Sequence, residues 1–289
     1  MNEETKIGLA LILPLIILQF LVSLYPMGYS LNLAFHQASF EHGISSFVGL
    51  DNFAAIGADT ELPAATLVSV RFVIESVGLI FLISLGLALL LNEQGIPGRS
   101  ILKVIVILPW SLSEFAVAIA GRFFLDSSYG FLNAILIRLH LVKFGYFFLN
   151  AQNGVEWLSL FYAWNFAPIG AFFILSSLQT VPDELYKASK IDGAHMIRRF
   201  RLITFPFVKY SVLITLVLAT IQAAGAVVIF FTLTGGGPGN ASLPVTLYNF
   251  VVFFRQGNYG FGSAISWTTL IIVASATTSY FILLTRKRN

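Results

Sequence analysis

Residues 181–206 read VPDELYKASKIDGAHMIRRFRLITFP, a charged stretch that lies between two long apolar segments. Pro182 suits the first turn of a helix, and Asp183 and Glu184 place negative charge at the positive end of that helix. Gly193 allows the chain to reverse, and a second amphipathic run follows it. The stretch therefore predicts a short helix-turn-helix on a membrane surface. Spacing alone also allows a polar connector that lies on anionic headgroups.

The composition indicates an integral membrane protein. The 289 residues are 57% hydrophobic and only 11% charged, with a mean hydropathy of +0.83. A soluble core of this size would need a far larger charged surface. The basic residues stand in short runs beside apolar segments, so we expect no nucleic-acid partner. There is no cysteine, and the four histidines show no ligand spacing, so we expect no disulfide and no metal site.

Six segments are long and apolar enough to cross a bilayer. The sequence therefore predicts an all-α membrane protein with one transmembrane domain over residues 1–289 and a cytoplasmic loop at 179–206, between the fourth and fifth spans. A cleaved signal peptide is disfavoured because Glu3 and Glu4 precede the first apolar run. The predicted spans cover about residues 7–30, 64–91, 101–125, 156–178, 207–232 and 264–285.

The distribution of basic residues predicts the orientation in the membrane. Most of the 17 lysines and arginines fall on the side that also holds both termini and the loop at 179–206. The positive-inside rule therefore places both termini and this loop in the cytoplasm.

Two separate motifs resemble those of binding-protein-dependent ABC importer permeases. The run Tyr186-Lys-Ala-Ser-Lys-Ile-Asp-Gly-Ala194, with Ile203-Thr-Phe-Pro206 after it, resembles their EAA loop in the carbohydrate-uptake form, of the maltose or glycerol-3-phosphate type. The run Phe47-Val-Gly-Leu-Asp-Asn-Phe53 resembles the element that follows their first helix. The sequence departs from the family at Lys187, where the family has Glu, and at Ser189, where it has Ala.

The resemblance implies the six-helix fold of type I ABC importer permeases, in the plasma or bacterial inner membrane. The loop would be the coupling helix that enters a groove of a cytoplasmic ATPase. The implied partners are a second related permease, two nucleotide-binding ATPase subunits and an external substrate-binding protein. ATP and Mg would bind the ATPases, so this chain would need no cofactor of its own. The predicted coupling residues are Glu184, Lys187, Ala188, Asp192, Gly193, Ala194, Ile203 and Pro206.

Polar and aromatic residues inside the spans are the candidates for a substrate pathway, because such residues are costly in lipid unless they face an interior. Amide side chains can donate to and accept from hydroxyl groups, and aromatic rings can stack on the apolar face of a sugar. Hydrogen bonds between helices are the alternative role for the amides. Arg71 and Glu75, four residues apart, are expected to form a structural ion pair. The pathway candidates are Tyr162, Trp164, Asn165, Gln222 and Glu114.

The sequence shows no catalytic constellation and no ATP-binding motif. The glycine-rich run Leu233–Gly239 is followed by no Lys-Ser/Thr pair, so it is not a Walker A loop. The predicted function is therefore a permease subunit that imports neutral sugars with ATP hydrolysed on another chain. A glycerol phosphate ester is the second substrate class, disfavoured because no basic residue lies at mid-membrane. An ion-coupled secondary transporter is the alternative from another class, with Glu75 and Glu114 as its only acidic candidates.

Overall fold

Long apolar helices dominate the structure, a computed structural model that describes residues 3–93 and 95–285, with side chains for 8–93, 95–283 and 285. Among these described residues, five helices are long and apolar enough to cross a membrane, and a pair of shorter helices bent by 94° makes six if it counts as one span. The five candidate spans are Gly8–Ala34, Leu62–Asn92, Gly154–Leu178, Met196–Ala224 and Tyr259–Leu283.

The first half of the chain contains seven helices and two strands. The π-helical turn Phe20–Leu24 joins the first two helices into one rod. The elements are α1 (Glu3–Gln19), α2 (Tyr25–Ala34), β1 (His36–Ser39), β2 (Gly43–Phe47), α3 (Asp51–Ala58), α4 (Leu62–Asn92), α5 (Arg99–Ser111), α6 (Glu114–Leu125) and α7 (Phe131–Arg138).

The second half is helical. Among the described residues, two further π-helical turns occur here, Phe200–Thr204 inside the span Met196–Ala224 and Val251–Arg255 after a short apolar helix. The elements are α8 (Gly154–Leu178), α9 (Asp183–Ile191), α10 (Met196–Arg199), α11 (Phe205–Ala224), α12 (Val228–Leu233), α13 (Val245–Phe250) and α14 (Tyr259–Thr285).

A β-hairpin corrects the all-α prediction, so the fold is mostly helical rather than entirely so. Strands β1 and β2 pair antiparallel, with His36 opposite Phe47. Gly43 takes a φ of +63°, which allows the tight turn between them. Asn52 holds the base of the hairpin, because its Nδ2 donates to the carbonyls of Ala34 and His36 at 2.9 and 3.0 Å. A hairpin this short has weak periodicity, so the sequence read as a loop.

Two of the predicted spans differ from the helices that form. The third predicted span, 101–125, is broken, because α5 ends at Ser111 and α6 starts at Glu114. The hydroxyl of Ser113 caps the start of α6 by accepting the N–H of Ala116. The fifth predicted span, 207–232, lies closer to the C-terminus than the helix that forms. Its helix runs without a break from Met196 to Ala224, so Ile203 and Pro206 lie inside a helix and not in a loop. The helix ends at Ala224, and the next helix, α12, starts at Val228.

The chain divides into two compact units, Met1–Leu62 with Tyr248–Ile272 and Pro63–Leu247 with Val273–Asn289. The prediction of one domain stays a prediction. In the first unit, the hairpin is tied to the segment before α14, where Phe40 donates its N–H to the carbonyl of Gly257 at 2.8 Å. Any side chain at Gly257 would meet the Cβ of Phe40 at 2.6 Å.

The second unit has a core in which α4, α8 and α11 pack closely. Gly170 marks the tightest approach, since a Cβ there would lie 2.5 Å from Thr215 and 2.6 Å from the hydroxyl of Ser84. The Ser84 hydroxyl also donates to the carbonyl of Ala167 at 2.8 Å. Small side chains therefore set the helix spacing, as is usual for helices in lipid. The core cluster contains Ala88, Leu91, Ala171, Ile174, Leu175, Leu178, Val208 and Val212.

Candidate coupling loop and translocation site

The loop between α9 and α10 is a regular helix-ending turn. Gly193 has a φ of +67°, which glycine adopts without strain. Its N–H donates to the carbonyl of Lys190 at 3.2 Å, and the N–H of Ala194 donates to the carbonyl of Ser189 at 2.9 Å. These two bonds form a Schellman motif with Gly193 as its left-handed residue. The predicted reversal at Gly193 is therefore present in the structure.

Apolar side chains around this turn are strongly exposed. Ile191 is 87% exposed, Met196 76% and Ile197 71%. Exposed apolar groups that cluster on a polar loop are typical of a surface that another protein covers. The predicted coupling residues do not include these three. Of the eight predicted coupling residues, Ala194 and Ile203 are half-buried, and six are exposed: Glu184, Lys187, Ala188, Asp192, Gly193 and Pro206.

The coupling loop is attached to the long helix that follows it. The hydroxyls of Tyr186 and Thr204 lie 3.0 Å apart, and Thr204 is buried. The buried Ser189, which replaces the family's second Ala, donates its hydroxyl to the carbonyl of Tyr186 at 2.8 Å. Helix α9 is thus held to the base of the Met196–Ala224 helix by side chains as well as by the short turn.

Among the pathway candidates, Asn165 has a defined structural partner. Its Nδ2 donates to the carbonyls of Pro109 and Leu112, at 2.5 and 3.3 Å. Both carbonyls belong to the bend between α5 and α6, where helical hydrogen bonds are lost. The structure therefore gives Asn165 an interhelical hydrogen bond, the alternative role that the sequence left open.

Glu114 lies at the same bend and reaches the interruption after α11. Its Oε1 accepts the N–H of Ile229 at 2.8 Å. Helix α12 packs on α6, and both α5 and α6 pack on α8. The structure thus brings Asn165 and Glu114 to the bend that interrupts the third span. Glu114 also links this bend to the interruption after α11.

The other three candidates are not joined to that pair by hydrogen bonds in the described part of the chain. Tyr162 is buried in an aromatic group, with its ring centroid 5.3 Å from that of Phe72 and 6.4 Å from that of Phe166. Trp164 is 46% exposed on α8, and Gln222 is exposed near the end of α11. Tyr162 therefore packs in the helix core, whereas the indole of Trp164 and the amide of Gln222 are exposed.

Arg71 forms the predicted pair with Glu75, at 2.7 Å, and a second one with Glu156. The hydroxyl of Ser159 also donates to Glu75, at 3.2 Å. The arginine thus joins α4 to α8 through two carboxylates. The sequence analysis paired Arg71 with Glu75 alone. Glu156 could have been noticed as a further acidic partner because it lies in the first turn of the fourth span. Among the described residues, no group of three or more His, Cys, Asp or Glu side chains could hold a metal ion.

Interrupted spans around a polar bend are typical of membrane transport proteins, and a surface loop that exposes apolar side chains is typical of a subunit that another chain covers. Residues 80–287 match the family model described as binding-protein-dependent transport system inner membrane component. The chain belongs to this family. It is therefore a multi-pass permease subunit of an ABC importer in the inner or cell membrane, and it is not itself the ATPase. Membership of this family excludes the alternative of an ion-coupled secondary transporter.

Several characterised relatives cover nearly the whole chain. The trehalose/maltose transport system permease protein MalF of Thermococcus litoralis is 34% identical, with 96% of this chain and 93% of that protein aligned. The sulfoquinovosyl glycerol transport system permease protein SmoG of Agrobacterium fabrum is 29% identical over 98% and 92%. A solved bacterial alginate ABC transporter has a chain with a TM-score of 0.82, at 21% identity, covering 96% of this chain and 93% of its own. This structural similarity supports the fold of ABC importer permeases for this chain.

Proposed function

We propose that this chain is one permease subunit of an ATP-driven importer of neutral sugars, and that residues 179–206 dock it to the ATPase. The exposed turn at Gly193, attached to a continuous helix of 29 residues, carries this proposal. Such a turn offers an apolar surface to a partner, and the rigid helix transmits its displacement into the membrane. The remaining partners are a second related permease, two ATPase subunits and an external binding protein, with both termini of this chain in the cytoplasm.

The docking surface combines apolar and charged side chains. Ile191, Met196 and Ile197 supply the exposed apolar contacts, and Gly193 lets the chain turn between them. Helix-in-groove recognition uses this kind of short amphipathic element. Lys187 is exposed where the resembling family has Glu, so its partner groove should present complementary negative charge. Replacing Lys187 with Glu should then weaken co-purification with the ATPase, whereas unchanged association would exclude a charged contact there.

The proposed pathway runs beside the bend between α5 and α6. Closure of the two ATPases on ATP would move the loop and the Met196–Ala224 helix together, and so switch the region near Asn165 and Gln222 between outward and inward access. Switching between discrete packed states is the usual form of such motions. Trp164 and Gln222 are the exposed side chains that suit contact with a sugar, while Tyr162 shapes the wall from the core.

Neutral sugar is the favoured substrate class. The relatives include permeases named for trehalose/maltose, arabinooligosaccharides and trehalose. At the bend, the polar side chains are an amide, a carboxylate and serine hydroxyls, and none of them carries a positive charge. The basic residue of the second span, Arg71, is occupied by the carboxylates of Glu75 and Glu156. A phosphate ester would therefore find no free cation among these residues.

The proposal can be tested with the assembled importer in proteoliposomes. With binding protein and ATP present, we expect uptake of a neutral disaccharide in preference to glycerol 3-phosphate, and no uptake driven by an ion gradient alone. A matched complex that carries an ATPase unable to hydrolyse ATP is the control. Uptake by this chain without the ATPase would overturn the proposal, and preferential uptake of the phosphate ester would overturn its substrate class.

A further inference from the structure

Two spans of this chain are interrupted, and both interruptions lie in the second unit. The first is the 94° bend between Ser111 and Glu114, and the second lies between Ala224 and Val228. Each interruption removes helical hydrogen bonds and leaves backbone groups without their usual partners. Irregular backbone of this kind is tolerated at membrane depth only where other protein groups or a wet cavity satisfy it. The side chains that do so at these two points are therefore informative.

The carboxylate of Glu114 is free to serve the second interruption because its own helix is capped by its neighbour. The hydroxyl of Ser113 accepts the N–H of Ala116 at 3.2 Å and so caps α6. Glu114 instead accepts the N–H of Ile229, 115 residues further along the chain, at 2.8 Å. Ile229 is fully buried and Glu114 is partly buried, so water competes poorly for this bond.

Asn165, on α8, bonds to the same bend. Its amide donates to the carbonyls of Pro109 and Leu112, so α8, the bend and α12 form one chain of side-chain-to-backbone hydrogen bonds. The Met196–Ala224 helix connects the exposed loop at Gly193 to the second interruption without a break. A displacement of the loop therefore reaches the chain next to Ile229, where Glu114 is the polar contact to the bent span.

We propose that Glu114 is a positioning residue that transmits movement of the α11 helix to the bent span, and that it acts through its bond to Ile229 rather than by contact with the sugar. This inference rests on the proposed function, in which that helix moves with the ATPases. The carboxylate joins two elements that the backbone alone leaves independent. Loss of the acceptor separates ATP hydrolysis from transport, while the site that binds the sugar stays formed.

The test compares three variants of the assembled importer in proteoliposomes. Glu114→Ala removes the acceptor, Glu114→Gln keeps an oxygen that accepts the same N–H, and Ser113→Ala removes the adjacent cap within α6. Glu114→Ala should lower the amount of sugar transported per ATP by about tenfold, the factor expected for one hydrogen bond to a charged group. The KM for sugar should not change. Glu114→Gln, which keeps a neutral hydrogen bond, should lower the ratio by only about threefold, and Ser113→Ala should stay within about twofold of the parent ratio.

A second measurement does not depend on transport. Because the natural chain has no cysteine, Phe123→Cys in α6 and Phe231→Cys in α12 provide two unique sites for spin labels. Both positions are exposed. The distance distribution between the labels should be narrow in the parent and in Glu114→Gln, and broad in Glu114→Ala.

Three results would overturn the inference. One is an unchanged distance distribution in Glu114→Ala. Another is a Glu114→Gln variant as poorly coupled as Glu114→Ala, because charge and not the hydrogen bond would then matter. The third is a raised KM for sugar with normal coupling, which would make Glu114 a substrate contact. If the parent importer shows no ATP-dependent uptake while the label distances respond as expected, the proposed function fails and the role of the bond in positioning α12 stands.

Discussion

The hydroxyl of Tyr186 in α9 lies 3.0 Å from the hydroxyl of Thr204, the last residue before α11. Thr204 is only 5% exposed, so the bond is shielded where the two elements meet. It is a direct side-chain link between α9 and the long helix Met196–Ala224.

Removing either hydroxyl should loosen α9 without changing the rest of the fold. We expect Tyr186→Phe and Thr204→Val each to raise amide hydrogen exchange over residues 183–194 by about fivefold, which corresponds to one neutral hydrogen bond. The double variant should exchange no faster than either single one, since both remove the same bond. Tyr210→Phe, at an exposed tyrosine that lies beside Lys209, is the control. Additive effects would show that the two hydroxyls act separately.

The conformation of Gly193 should matter more than its small size. Space around it is open, with no atom within 4 Å of the position that a Cβ would occupy, but its φ of +67° strains a β-branched residue by about 1–2 kcal/mol or more. Gly193→Val should therefore reduce ATPase association and sugar uptake, while Gly193→Asn, which tolerates this conformation, should retain most of both. Co-purification and uptake assays provide the measurement. Normal uptake by the valine variant would argue against a coupling role for this turn.

Gly170 should be intolerant of even one methyl group. An added Cβ would meet Thr215 at 2.5 Å and Ser84 at 2.6 Å, so Gly170→Ala should destabilise the second unit by about 1–3 kcal/mol. Gly78→Ala on α4 is the matched control, because no atom lies within 4 Å of its Cβ position. Thermal unfolding of the purified permease should show a lower midpoint for the first variant alone. Equal midpoints would mean that α4, α8 and α11 are less closely packed.

Asp59 should make the first unit sensitive to acid. Partial burial raises the pKa of this carboxyl, but hydrogen bonds from the Tyr248 hydroxyl and the N–H groups of Leu62 and Glu61 together lower it by more, and the net pKa is below its ordinary value. A depressed pKa contributes stability that is present above the ordinary value of 3.8 and is lost as the pH falls through the folded pKa.

We therefore expect the temperature of thermal unfolding to fall as the pH is lowered below about 4. Tyr248→Phe should reduce the size of this acid-dependent loss, because it removes one of the bonds that lower the pKa. Asp59→Asn should be less stable near pH 6 and should lose little more on acidification. A parent-like acid response in Asp59→Asn would assign the effect to another group.

The long helices were predictable because lipid restricts the sequence that can cross it. A bilayer span needs about 20 mostly apolar residues, and the predicted spans at 64–91 and 156–178 lie within two residues of α4 and α8. The turn at Gly193 was predictable for a similar reason, since few residues other than glycine accept its backbone conformation. The Arg71–Glu75 pair followed from helical spacing alone.

The interruptions were not predictable from spacing. Pro109 makes a break possible, but the carbonyls of Pro109 and Leu112 at the bend accept from a distant amide, that of Asn165, which helix spacing does not reveal. Past the end of α11, the N–H of Ile229 likewise donates to Glu114, which lies far away in sequence. The hairpin of β1 and β2 was missed because its stability comes from Asn52 and from the segment near Gly257.

The amino-acid sequence by itself determined the membrane location, the family, the number of apolar segments and the position of the turn at Gly193, because each depends on local composition, glycine geometry or a contiguous motif. Only the tertiary structure decided where the spans break and what Asn165 and Glu114 do, because a polar group in lipid is satisfied by whichever partner the fold brings to it. Those partners lie 53 to 115 residues away along the chain.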